Sequence, residues 1–100
     1  MEHRLTRRIR IPLDVVLYAR GSVFGRGICR DIGLQGMYVE AEPGLLRRNT
    51  LVEVEILTAG LCLPALVVHC DKRGAGLAFD ETASPEPLRH LREFLQGLEE

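Results

Sequence analysis

Two short segments hold the residues of this chain best suited to ligand chemistry. The first is an arginine cluster, Arg4, Arg7, Arg8 and Arg10 in HRLTRRIRIP; the second is the turn-like run Asp31-Ile32-Gly33-Leu34-Gln35-Gly36. Planar guanidinium groups hold phosphate oxygens in pairs, and equally hydrogen-bond the O6/N7 edge of guanine or stack on its ring. An aspartate accepts hydrogen bonds from the opposite, N–H-bearing edge of guanine, while glycines let the backbone come close to a ligand. Taken together, these types fit a site for a doubly phosphorylated purine ligand.

Each segment also has an ordinary structural use. Aspartate ahead of Gly33 and Gly36 is normal turn chemistry, with the side chain capping backbone N–H groups and glycine supplying positive φ. A basic tail is also what a solubilising arm looks like. The density of arginine immediately before Ile11-Pro12, where the chain must begin its first strand, favours the ligand reading: an arm tethered there can fold back over the domain.

Catalytic constellations are missing from the sequence pattern. His3, His69 and His90 are far apart, and no serine or cysteine stands in a nucleophile motif, so the chain reads as a binding protein rather than an enzyme. His69 reads as a strand histidine hydrogen-bonded in or near the core, and His90 as a solvated helix residue. Cys29, Cys62 and Cys70 are odd in number, lack CxxC spacing and sit among apolar strand residues; neither a disulfide framework nor a zinc site is expected.

From Pro12 to Phe79 short apolar or alternating runs are punctuated by turn residues, the pattern of an all-β sandwich or barrel. Strands are expected near Leu13–Ala19, Phe24–Ile32, Gly36–Glu40, Leu51–Leu57, Leu61–Cys70 and Gly74–Phe79. Alternation is plainest in the fourth, where Val52, Val54 and Ile56 share one face and Glu53 and Glu55 the other. The fifth is apolar almost throughout, which requires a cover, and its Pro64 implies a bulge or an unpaired position. The cover is the C-terminal segment, where Leu88, Leu91, Phe94, Leu95 and Leu98 follow helical spacing behind Ser84 as N-cap, Pro85 at the first helical position and Glu86 at the positive helix end. The expected architecture is a six-stranded antiparallel barrel or sandwich with one amphipathic helix over about 84–99. Residues 1–11 are expected to form a flexible arginine-rich arm and 12–100 a single domain.

Composition narrows the partners. One hundred residues with a hydrophobic share of 46% make one domain with an ample core. Net charge is −1, and of the 13 basic residues only Lys72 is lysine, which favours directed bidentate recognition over diffuse solvation or polybasic membrane attachment. The aromatic share of 5%, with Phe24, Tyr38 and Phe79 read as core or strand residues, argues against a stacking platform for nucleic acid. No run is long and apolar enough to span a membrane, no signal core follows the basic N-terminus, and a cytoplasmic location is expected.

The two motifs, in this order, resemble those of the PilZ family, which carries RxxxR ahead of the first strand and [D/N]xSxxG after the second. The similarity runs over nearly the whole chain, through Arg10–Leu13 (RIPL), Cys29-Arg30-Asp31-Ile32, Gly36–Val39 (GMYV) and Gly74–Phe79 (GAGLAF). The resemblance implies a six-stranded β-barrel with a C-terminal helix that receives the bacterial second messenger cyclic di-GMP, often as an intercalated dimer, with no other cofactor. The arginines would hold phosphates and guanine edges, and Asp31 with the turn through Gly33 and Gly36 would read a guanine. Binding would order the arm and switch an effector protein in motility, adhesion or biofilm control. Arg4 and Arg8 satisfy RxxxR literally, whereas the place directly before the first apolar strand residue is held by Arg10, four residues beyond Thr6, with Arg7 adjacent. Gly33 stands where the family has serine. The alternative is a ligand-independent interaction module of the same family, of the kind linked to type IV pili.

Overall fold

Alternating burial is clearest in β4 and β6, and the longer strands depart from it at irregularities in their pairing. The computed structural model describes residues 8–82 and 85–99. Six strands occur in order: β1 Ile9–Ala19, β2 Ser22–Ile32, β3 Gly36–Glu40, β4 Leu51–Ile56, β5 Leu61–Cys70 and β6 Gly74–Phe79; the helix α1, Pro85–Glu99, follows. All neighbouring strands pair antiparallel in the order β1-β2-β3-β6-β5-β4, and β4 returns to β1 through the register Val15↔Ile56 to Tyr18↔Glu53. Closure makes the fold a barrel rather than a sandwich, with β4 covering β1 from Val15 to Tyr18 and β3 covering β2 from Ile28 to Ile32.

The interior is filled from every strand. Leu17, Ile32, Met37, Val39, Val54, Ile56, Leu63 and Val67 are fully buried, and Leu91 and Leu95 of α1 join the same cluster. Burying each such side chain contributes about 1.5–3 kcal/mol, so the core is the main source of stability. In β4 the expected alternation holds, with Val52, Val54 and Ile56 inside and Glu53 and Glu55 on the outer side. Helix α1 packs against β5, which accounts for the apolar length of that strand. Pro64 forms no bulge: it pairs in register with Glu53, and its carbonyl accepts Asp80 N–H at 2.9 Å where β6 has just ended. Its missing N–H therefore faces the side without a ladder partner.

β1 begins at Ile9, four residues ahead of the expected Leu13. Ile9, Arg10 and Ile11, expected in a flexible arm, are strand residues, with Ile9 opposite Ile32 and Arg10 opposite Asp31 on β2. The early start has a simple cause: Ile9 and Ile11 are half-buried against the core, while Arg8 and Arg10 alternate outward. Arg4, Arg7, the rest of residues 1–7 and the expected N-cap Ser84 lie outside the described residues.

Candidate functional site

Arg8, Arg10 and Asp31 meet on the outer face of the barrel, and an irregularity in β2 puts them there. Cys29 pairs with Val39 and Asp31 with Tyr38, so Arg30 is one residue too many in the β2–β3 ladder. Strict alternation from the buried Cys29 would turn Asp31 inward. The bulge instead gives Arg30 and Asp31 adjacent outward positions and returns Ile32 to the core, fully buried like Cys29. On the other side, β1 carries its own extra residue between Arg10 and Leu13, and Arg10 stands directly opposite Asp31.

The Arg8 guanidinium holds Asp31. Its Nε donates to Oδ1 at 2.8 Å and Nη2 reaches the same oxygen at 2.7 Å, with the two side chains 43% and 30% exposed. Arg10 is exposed beside them. Arg30 is neutralised on the same face by Glu40, with Nε donating to Oε1 at 2.7 Å. Thus two arginine side chains flank one carboxylate at the barrel surface, Arg8 paired with it as Arg30 is with Glu40, and Arg10 exposed to solvent.

Glycine does different work from that expected of the β2–β3 turn. Among the described residues positive φ occurs at Gly21, Gly44 and Gly60 and at Arg20 and Asn49, not at Gly33 or Gly36. Gly36 is required by a close approach instead: a Cβ there would run into the carbonyl oxygen of Leu77 on β6. Gly33 N–H donates to the Gly36 carbonyl at 2.9 Å, closing the connection, and Gly33 itself is buried. Asp31 is engaged by the arginine side chain rather than serving as a turn cap.

Three further residues on this face escaped the sequence reading. Tyr38 is half-buried, and its hydroxyl donates to Asp71 Oδ1 at 2.6 Å. Partial burial first, and then this bond, push the Tyr38 phenol up to about 12. The Tyr38 bond and the Arg73 N–H hold the Asp71 carboxyl below the usual range. His69, expected in or near the core, is on the outside, its side chain 59% exposed and its Nε2 4.0 Å from Asp71 Oδ2. A second bulge explains the error: Val67 pairs with Leu77 and His69 with Gly76, so Val68 and His69 both face out. Tyr38 was readable, since Met37 and Val39 flank it as inward neighbours; the bulges leave no mark in an apolar-polar pattern.

Cys29 is buried while Cys62 and Cys70 are exposed, all three as free thiols. Among the described residues no group of histidine, cysteine and carboxylate side chains is arranged to hold a metal, and no helix is long and apolar enough to cross a membrane.

The described chain is a small closed six-stranded barrel with a C-terminal helix, carrying an arginine–aspartate pair where the first strand begins. A family profile described as PilZ domain matches residues 2–97, and the chain belongs to that family, one of cyclic di-GMP-binding adaptor domains. Among solved structures, the PilZ domain of CeSA from a cellulose-synthesizing bacterium superposes with a TM-score of 0.78 at 22% identity, covering 94% of this chain and 99% of that one. An uncharacterized Legionella protein superposes with a TM-score of 0.60 at 13% identity, covering 93% of this chain and 94% of that one. At these identities the likeness is one of fold. No curated protein gives a significant sequence match.

Proposed function

We propose that this chain is a non-enzymatic receptor for cyclic di-GMP that acts as a cytoplasmic adaptor, passing the state of its ligand site to an effector protein. The observation that carries the reading is the register of β1 on β2, which sets Arg8 and Arg10 around Asp31 on one solvent-facing patch of a PilZ barrel. In the liganded protein the guanidinium groups of Arg8 and Arg10 take phosphate oxygens or the guanine O6/N7 edge. Asp31, released from Arg8, accepts the guanine N1–H and N2–H donors. Arg4 and Arg7 add phosphate contacts. Ligand binding is then an exchange of partners within the patch, and the loss of the Arg8–Asp31 pair changes the surface seen by an effector.

Calorimetric titration with cyclic di-GMP, with GTP as control, tests the reading. Saturable binding specific to the cyclic dinucleotide is expected. Replacing Arg8 and Arg10 together should remove most of it, whereas replacing Arg47 and Arg48, an exposed pair outside the patch, should leave it intact. Equal small losses from the two double variants would overturn the site assignment. Gly33 in the serine position favours a second reading, a module that contacts its effector without nucleotide. Effector capture that is indifferent to cyclic di-GMP and to the arginine substitutions would establish that reading instead.

A further inference from the structure

The cross-strand register extends the patch into a row across five strands. Arg10 is opposite Asp31, Asp31 opposite Tyr38, Tyr38 opposite Gly76, and Gly76 opposite His69. The row is framed by the two bulges, which lie on either side of the Tyr38–Gly76 pair and re-aim Asp31 and His69 outward toward it. Neighbouring strands are about 4.8 Å apart, so the row covers about 19 Å from Arg10 to His69. Its two ends differ: Arg8 and Arg10 with Asp31 at one, and two rings with the Asp71 carboxylate at the other, where the Arg73 charge also acts on Tyr38.

At the far end the groups are held in place. Asp71 Oδ1 receives three donors: the Tyr38 hydroxyl at 2.6 Å, Arg73 N–H at 2.9 Å and Gly74 N–H at 3.0 Å. These bonds fix the outer end of the Tyr38 ring and leave Oδ2 on the side of His69. The His69 ring lies against Gly76, where a Cβ would come within 3.5 Å of Nδ1; no side chain stands between the two aromatic residues along the row. A phosphate is repelled by Asp71, whereas a planar base is suited to it: its π face meets the rings and its N–H edge finds Oδ2.

We infer that Tyr38, with His69 and Asp71, forms a second base-binding element, which takes the guanine that Asp31 does not. The inference rests on the cyclic di-GMP reading above. The ligand is then oriented by the row, phosphates over Arg8 and Arg10 and a base over Tyr38, and adenine, which lacks the N1–H donor, is selected against.

The chain contains two tyrosines and no tryptophan, which provides a direct test on the native protein. Tyrosine is ring-labelled for NMR, the signals are assigned with Tyr18→Phe, and cyclic di-GMP is titrated alongside calorimetry. Tyr18 bonds Glu55 at 2.6 Å near the other end of β1 and serves as an internal control. The expected result is a saturable shift of the Tyr38 ring signals with the calorimetric midpoint, and none for Tyr18. Tyr38→Ala should lose about 5- to 150-fold in affinity, the range of one base–aromatic stack, and Tyr38→Phe should stay within about threefold of wild type. Binding with an unmoved Tyr38 ring, or Tyr38→Ala within about twofold of wild type, overturns the inference and leaves the receptor reading standing. Absence of binding by the wild-type chain overturns both.

Discussion

Asp31→Ala separates the two uses of one carboxylate. In the free protein the Arg8–Asp31 pair is exposed on both sides, and pairs of this kind contribute about 0–1 kcal/mol to folding. The variant should therefore melt no more than about 8 °C below wild type. Binding should respond in opposite directions to two probes. For cyclic di-GMP the charged acceptor of the guanine edge disappears; hydrogen bonds to charged groups contribute about 1.5–3 kcal/mol, so affinity falls about 10- to 150-fold. Pyrophosphate has no base to read, and for it the same change frees Arg8 and removes a negative charge about 5 Å away. In water that charge costs about 0.8 kcal/mol per unit of ligand charge at that distance, so affinity rises about fourfold for each such unit at low salt and less at physiological ionic strength. Calorimetry measures the dinucleotide, and amide chemical shifts follow the weaker pyrophosphate. A parallel fall for both probes would refute the reasoning, because Asp31 would then be holding the arginines in place rather than reading a base.

The other expectations follow from single features of the structure. Gly36→Ala should lower the melting temperature by at least 4 °C, since its Cβ meets backbone on β6 and overpacking costs about 1–3 kcal/mol, whereas Gly97→Ala, in open space on α1, should raise it slightly. Burial pushes the Cys29 thiol up to about 12, so a thiol reagent at pH 8 should modify Cys62 and Cys70 in the native protein and Cys29 only after denaturant is added. The depressed Asp71 carboxyl contributes stability above its unfolded value of about 3.9 that is lost as pH falls through the lower folded value; the stability gap between wild type and Asp71→Asn should close below about pH 4 in thermal melts. Gly33→Ser restores a hydroxyl at a position without positive φ, and calorimetry should show a gain of about 2- to 12-fold for cyclic di-GMP from one added hydrogen bond of about 0.5–1.5 kcal/mol.

Much of the barrel is visible in the sequence because apolar or alternating runs are separated by turn residues. β3, β5 and β6 have the expected bounds, and the helix differs by little, since Gly36–Val39, Gly74–Phe79 and the leucine spacing of α1 each have one consistent pattern. The strand start at Ile9 was hidden because Arg8 and Arg10 look like tail, although Ile9 and Ile11 supply the alternation that continues β1. Asp31 was found through its motif, but not its exposure: from the buried Cys29, simple alternation gives the wrong side. The same arithmetic misplaced His69. Bulges displace one residue of pairing register, and register belongs to two strands at once, so a pattern read along one strand does not contain it.

The bulges also explain how a barrel of this size offers a polar face without opening its core. Arg30 and Asp31 leave the inward sequence between Cys29 and Ile32, and Val68 and His69 leave it after Val67, so polar side chains are gained outside while every interior position remains apolar. No buried polar or charged residue is found among those described, and three carboxylates on the face already hold a donor: Asp31 from Arg8, Glu40 from Arg30 and Asp71 from Tyr38. A ligand that enters such a face gains only the difference between its own contacts and the pairs it replaces. The Arg8–Asp31 pair is the one a guanine nucleotide replaces at least cost, because its two members each find a complementary group on that ligand. Selectivity then comes from the requirement that both be satisfied together: an anion alone strands Asp31, and a neutral base alone strands Arg8.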